Sequence, residues 1–358
     1  MSTPIQSLAS PPPEEPIHEP ANLDGIAYLY GHPLLNSLSP PLHQTIYDAL
    51  GLKWTQIPLS SVIPGNENTK TYPPPYTRSP SISKFLAAIR ANPRFVGSSV
   101  TMPWKVNIMS HLDELTEDAR QAGACNTIFV RRDAAGRPVG YVGTNTDCIG
   151  IREALLRNRL PGEDRVRGKP ALIVGGGGTA RTAAYVLRKW LGVSKIYIVN
   201  RDQAEVDAII REDQQRNPGA GTEIAPLMHV LDVATADSLE APAAIVSGIP
   251  NYPPKTAEEI QAREVVKAFL GVGRPAKDGY KGVILEMCYH PVPWTEIAHL
   301  ASGAGWKVIL GSEALFWQGL EQAMLWTGQD IAAMPAVVEQ AKGMVDQAVA
   351  SRATKSNL

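Results

Sequence analysis

Residues 171–180 read Ala-Leu-Ile-Val-Gly-Gly-Gly-Gly-Thr-Ala, four apolar residues running straight into four glycines and then into the alanine-containing segment Thr179–Leu187. Few folds accept such a stretch. An apolar run of strand length that meets glycine at once predicts a buried strand turning sharply into a helix. Gly175-x-Gly177-x-x-Ala180 has the spacing that lets a backbone approach a pyrophosphate, whose charge then rests on the helix N-terminus. A tight turn without a ligand uses the same glycines, so context decides. A second apolar run, Lys195–Val199, follows at the distance of a strand–helix–strand unit and ends on Asn200-Arg201-Asp202. Gly175, Gly177, Gly178, Thr179 and Ala180 are therefore the expected cofactor contacts at the turn, and Asn200, Arg201 and Asp202 those at the second strand. Arg201 suits a 2′-phosphate and Asp202 repels one, and either is also an ordinary solvated charge. NAD and NADP both stay open, with a lean to NAD.

Around this unit the chain alternates strands and helices. Strands are expected at Ile26–Tyr30, Trp54–Leu59, Phe95–Val100, Ala243–Ser247, Gly282–Glu286 and Lys307–Leu310. A helix is expected from Ser39, where Ser-Pro reads as a cap followed by proline at the first helical position, to Gly51. Others are expected over Lys84–Arg90 and Ile149–Arg157, and Ser312–Ala350 reads as helix-rich. Alternation of this kind predicts an α/β protein. Residues 61–80 contain Pro-Gly-Asn-Glu-Asn and Pro-Pro-Pro-Tyr-Thr-Arg-Ser-Pro, a long proline-rich loop or surface insertion. The polar stretch Leu160–Lys169 reads as a hinge.

Composition excludes several classes. Lys+Arg 34 against Asp+Glu 35 leaves a formal net charge of only −1, which argues against an electrostatic nucleic-acid or membrane partner. Cys125, Cys148 and Cys288 lie far apart with no Cys-x-x-Cys, which argues against a disulfide scaffold and a structural metal site. Residues 1–22, rich in Pro, Ser and Glu, lack a signal-peptide core and read as a disordered tail. No apolar run approaches the roughly eighteen residues of a membrane span. The expectation is a cytoplasmic protein without metal, nucleic-acid or membrane partner, monomeric or homodimeric.

Four polar segments remain. Ser37-Leu-Ser39-Pro40 puts two hydroxyls at a helix N-terminus, suited to a carboxylate, although Ser39 also suits a plain cap. Val100-Thr101-Met-Pro-Trp-Lys105 places a lysine at the start of an expected helix, where it opposes the dipole; a residue that is locally disfavoured is a candidate for function. Gly123-Ala-Cys-Asn126-Thr127 and Gly143-Thr-Asn145-Thr146-Asp147 carry Asn-Thr pairs that ordinary turns also use, and Asp147 suits a helix cap.

In this order, the four segments and the glycine turn resemble the shikimate/quinate dehydrogenase family. So do Tyr289 in Met-Cys-Tyr-His-Pro and Gln318 in Glu-Ala-Leu-Phe-Trp-Gln. The resemblance spans about residues 25–328, and the wording around the glycine turn is similar to fungal members. It implies an N-terminal α/β substrate domain over 23–147 and a Rossmann-like NAD(P) domain over 148–311, with a cleft between them. Helices over 312–358 would pack back on the first domain. It implies Lys105 and Asp147 as the catalytic pair, Ser37, Ser39 and Tyr289 as carboxylate ligands, and Thr101, Asn126, Asp147 and Gln318 as contacts to ring hydroxyls. The partner implied is a small cyclic hydroxy acid, with shikimate and quinate both open. Departures stand at Asn36, Ser99 and Val246–Pro250, where the family usually has His, Asn and Asn-Ala-Thr-Pro. Two rivals are another two-domain dehydrogenase, such as a methylene-folate enzyme, and a non-catalytic sensor of the quinate pathway. Neither needs this whole set: the first has no use for the Ser37/Ser39 and Tyr289/Gln318 pairs, the second none for an intact Lys105 and Asp147.

Overall fold

The computed structural model describes residues 11–67, 74–160, 165–217, 224–273 and 279–355. The first ten residues of the expected tail, 68–73 of the proline-rich loop, 161–164 of the expected hinge and the last three residues lie outside them.

Two six-stranded sheets organise the chain. The first half runs β1 (Gly25–Tyr30), α1 (Ser39–Ala49), β2 (Trp54–Pro58), α2 (Ile82–Ala91), β3 (Phe95–Val100), β4 (Glu114–Leu115), α3 (Glu117–Ala122), β5 (Thr127–Arg132) and β6 (Pro138–Thr144). Its order is β2-β1-β3-β5-β6-β4, with β1 parallel to both its neighbours and β5 antiparallel to β3 and β6. Every residue of β1 is buried, as expected of a continuous apolar strand covered on both faces.

The β5–β6 hairpin and α3 are absent from the sequence expectations. β5 turns from buried to exposed along its length instead of alternating, so it lacks the period of two that marks a strand. The Asp133 carboxylate shapes the hairpin turn by accepting from Ala135 and Arg137 N–H, each at 2.9 Å. The register pairs Thr127 with Thr144. The two Asn-Thr motifs, eighteen or more residues apart in sequence, thereby meet at one sheet end.

The second half runs α4 (Asp147–Arg157), β7 (Pro170–Val174), α5 (Gly178–Lys189), β8 (Lys195–Val199), α6 (Gln203–Arg216), β9 (Leu227–His229), α7 (Val233–Ser238), β10 (Ala244–Ser247), α8 (Ala257–Gly271), β11 (Val283–Glu286), α9 (Glu296–Gly303) and β12 (Lys307–Leu310). The sheet is parallel throughout, ordered β12-β11-β10-β7-β8-β9. The order reverses between β7 and β10, and in a doubly wound sheet the crevice at that switch point is where ligands bind.

Two C-terminal helices, α10 (Gly311–Thr327) and α11 (Pro335–Lys355), complete the chain. They pack on the first half through Leu42 and Ile46 of α1 against Phe316, Leu320, Val337, Ala341 and Val345. Trp326 crosses β3 at Gly97, where a Cβ would stand 2.1 Å from the indole nitrogen, and donates to Ile128 O at 3.0 Å.

Three local expectations are corrected. Residues 11–22 are not a free tail: Glu15 N–H donates to Arg78 O at 2.7 Å, and its buried carboxylate accepts from the Ser61 and Thr77 hydroxyls. Those bonds order a stretch whose composition alone gives it no core to join. Ser39 does not cap α1. The cap position is Leu38, and the Ser39 hydroxyl donates to Gln56 Oε1 at 2.9 Å. Lys105 does not start a helix; Thr101–Ile108 is a chain of turns ahead of a short 3-10 segment, because Pro103 removes a backbone donor and disfavours helix at the residue before it.

Candidate active site

Lys105 hangs from the turn that follows β3. Its carbonyl accepts from Cys125 N–H at 2.7 Å, which ties the turn to the segment leading into β5. Asp147 is the first residue of α4, after the cap position Thr146, where a carboxylate complements the helix dipole. Lys105 Nζ lies 2.5 Å from Asp147 Oδ2, with the two side chains 17% and 10% exposed. An unpaired charge this deep is costly, and each of these two side chains has the other as its partner.

Beneath the pair lies a hydrogen-bonded floor. Asn126 Oδ1 accepts from Thr146 N–H and the Thr127 hydroxyl, both at 2.7 Å, and its amide donates to Thr146 Oγ1 and Gln318 Oε1 at 3.0 and 3.2 Å. From Thr127 the bonds continue through Gln322 to Ser99, then to Gln56 and Ser39, in steps of 2.8 to 2.9 Å. Gln318 and Gln322 stand one helical turn apart on α10, so one face of that helix serves the site. The sequence reading found Asn126 and Gln318 but missed Gln56, Thr146 and Gln322. The available signals were a glutamine inside the strand Trp54–Pro58 and a second glutamine four residues after the first.

Ser37 and Tyr289 converge from opposite halves. Burial raises the pKa of the Tyr289 hydroxyl above the usual phenol value, and the neighbouring Leu38 backbone and Ser37 side chain oppose that rise. Ser37 and Tyr289, with Ser39, Thr101, Lys105, Asn126, Asp147 and Gln318, line one cavity of about 520 Å³.

The glycine turn forms the facing wall. Gly175 has φ +128°, a conformation that favours glycine, and sits beside Gly248 after β10. A Cβ at Gly177 would meet nothing within 4 Å, and no side chain caps α5. The turn therefore offers open space above uncapped helix N–H groups, which fits a dinucleotide pyrophosphate. Thr179 lines the same cavity, and a Cβ at Gly178 would stand 3.1 Å from Lys105 Cβ. Ala180 is buried against the strand side as the third small residue of the turn. A second hollow, of about 560 Å³, opens beside Asn200, Arg201 and Asp202. Asp202 caps α6 by accepting from Ala204 N–H at 2.8 Å, Arg201 is ion-paired with Glu259, and Asn200 donates to Glu205 at 2.8 Å. None of the three cysteines forms a disulfide, and burial pushes the Cys125 thiol up to about 12, which leaves it inert. No helix among the described residues is long and apolar enough to cross a membrane.

Comparison with known proteins agrees with this geometry. Residues 29–128 match the shikimate dehydrogenase substrate binding domain family. A quinate dehydrogenase of Emericella nidulans is 64% identical over 96% of this chain and 100% of its own length. The pentafunctional AROM polypeptide of Schizosaccharomyces pombe is 35% identical over 84% of this chain, which spans only 17% of that larger protein. Among solved structures, a shikimate dehydrogenase in complex with NADP+ is 26% identical, with a TM-score of 0.63 over 91% of this chain and 96% of its own. The chain thus belongs to the shikimate/quinate dehydrogenase family of nicotinamide-dinucleotide-dependent oxidoreductases.

Proposed function

We propose that this enzyme oxidises quinate, reversibly, at a ring hydroxyl with NAD, and that Lys105 and Asp147 handle the proton. The observation that carries this reading is the Lys105–Asp147 pair, held 2.5 Å apart in a cavity that Thr179 of the glycine turn and Gly248 also line. Gly175, Gly177, Gly178, Thr179 and Ala180 hold the pyrophosphate, and Asn200, Arg201 and Asp202 border the ribose. The bound nucleotide supplies a two-electron hydride acceptor. As hydride leaves the ring carbon, the hydroxyl proton leaves for Lys105 Nζ; in reduction the Lys105 ammonium returns it. Asp147 orients the ammonium and the substrate hydroxyl. Thr101, Asn126 and Gln318 bind the remaining ring hydroxyls, and Ser37, Ser39 and Tyr289 the carboxylate. Buried amides and hydroxyls left unpaired are costly, so this floor rejects analogues that lack a hydroxyl.

Quinate is preferred to shikimate because a named quinate dehydrogenase shares 64% identity over its whole length. NAD is preferred to NADP on charge. Asp202 and Glu205 sit at the ribose end, and Arg201, whose guanidinium borders the same hollow, is engaged by Glu259. A 2′-phosphate there would face two carboxylates.

Initial rates with quinate and shikimate, each with NAD and NADP, test the reading. The highest kcat/KM is expected for quinate with NAD, and Asp202→Ser combined with Glu205→Arg should shift the preference toward NADP. Fastest turnover of shikimate with NADP would overturn it, and ligand binding without nucleotide reduction would point instead to a sensor.

A further inference from the structure

The N-terminus of α1 is poor in donors for a carboxylate. Its first turn contains Pro40 and Pro41, which have no N–H. Ser39 N–H donates to Ser37 Oγ at 3.2 Å and Leu42 N–H donates to Leu38 O, which leaves the Leu38 N–H beside the Tyr289 hydroxyl. A carboxylate arriving at Ser37 and Tyr289 therefore meets hydroxyls and few helix N–H groups. Hydroxyls alone compensate poorly for taking an anion out of water.

A cation stands directly behind this corner. The apolar stripe of α11 on α1 brings the end of α11 to the start of α1, so that Arg352 donates to Asn36 O at 2.9 Å. Its guanidinium carbon lies 5.9 Å from the centre of the Tyr289 ring. Nη1 is buried with no hydrogen-bond partner. Among the described residues, no carboxylate is ion-paired with Arg352. The neighbouring His290 does not supply a competing charge: burial, and then the Arg352 guanidinium, hold its pKa below the usual value. A half-buried guanidinium that no carboxylate of the described residues balances is costly for a fold, and an arriving anion would offset that cost.

We infer that Arg352, delivered by the last helix, provides the positive charge that binds the substrate's carboxylate at the Ser37–Tyr289 corner. It does so as a positioning residue, through its field and by fixing Asn36 and Tyr289, and not at the reacting carbon. It therefore bears on KM more than on kcat. The inference rests on the reading above, in which the cavity takes a cyclic hydroxy acid.

The test compares quinate with its uncharged methyl ester. With Arg352→Gln, KM for quinate should rise about tenfold with kcat within about twofold, the pattern of lost ground-state binding. KM for the ester should not change, and Arg352→Lys should restore most of the affinity for the acid. An equal rise for acid and ester would assign Arg352 a purely structural role and overturn the inference, as would an unchanged KM for the acid. Should Arg352→Gln not fold, Arg352→Lys keeps the test: an affinity for the acid lost as fully as that for the ester would refute a role for charge. Lys105→Ala measured alongside separates the two readings. Lost turnover in that variant with an unchanged KM in Arg352→Gln would sink this inference alone, whereas full turnover in Lys105→Ala would sink the reading beneath it.

Discussion

Glu286 and His43 show how much a single buried group can set the working range of this enzyme. Glu286 ends β11 fully buried, with Oε1 accepting from Cys288 N–H at 3.0 Å, and burial raises its pKa from 4.5 to about 7. A raised folded pKa means that the contribution to stability is complete below pH 4.5 and is lost as pH climbs through about 7. The loss is roughly 3 kcal/mol on the scale of 1.36 per pKa unit. Glu286→Gln should flatten this fall, seen as urea midpoints that differ less between pH 5 and pH 8 than in the parent protein. His43 has the opposite sign. Burial lowers its pKa from 6.5 to about 4, so its contribution is complete above pH 6.5 and is lost as pH falls through about 4. His43→Gln should remove that acid-side loss, measured by the same urea midpoints at pH 4.5 and pH 7. Neither effect is legible in the sequence. His43 stands there as one residue of an expected helix, and Glu286 as the last residue of an apolar strand; only the packing around them makes their protons expensive to move.

Whole elements were legible where their pattern is local. The strand–glycine–helix unit at 171–187 needs only neighbours in sequence to declare itself, and the parallel sheet follows from the alternation. The β5–β6 hairpin was not, because its strands carry no clean alternation and its polar residues pack against partners from other elements. The same holds for the floor of the site. Asn126, Thr146 and Gln322 meet only once the hairpin register and the long helix α10 are in place. That helix is seated by Trp326 over Gly97, where an added Cβ would stand 2.1 Å from the indole. Gly97→Ala should therefore destabilise the protein by about 3 kcal/mol, the upper end of ordinary overpacking, and should raise KM as well, because Gln318 and Gln322 ride on the displaced helix. Urea unfolding and initial rates on one preparation check both. A loss of stability with unchanged KM would mean that α10 does not position the floor.

At the scale of the molecule, the two sheets bring together groups that neither holds alone. Lys105 belongs to the turn after β3 and the glycine turn to β7, and the lysine stem lies beside Gly178. The sequence motifs indicated both walls and their order along the chain. They did not indicate that α11 returns to Asn36 and Tyr289, since its burial is spread over a long helix with little periodic signature. In the proposed mechanism the Lys105–Asp147 pair moves the proton of the substrate hydroxyl. The most direct measurement is the rate of NAD reduction by quinate in Lys105→Ala, with its fold checked by circular dichroism and compared with the parent enzyme. A fall in kcat of about a thousandfold, with the fold intact, is expected for loss of a positioned general base; a rate within tenfold of the parent enzyme would contradict the claim.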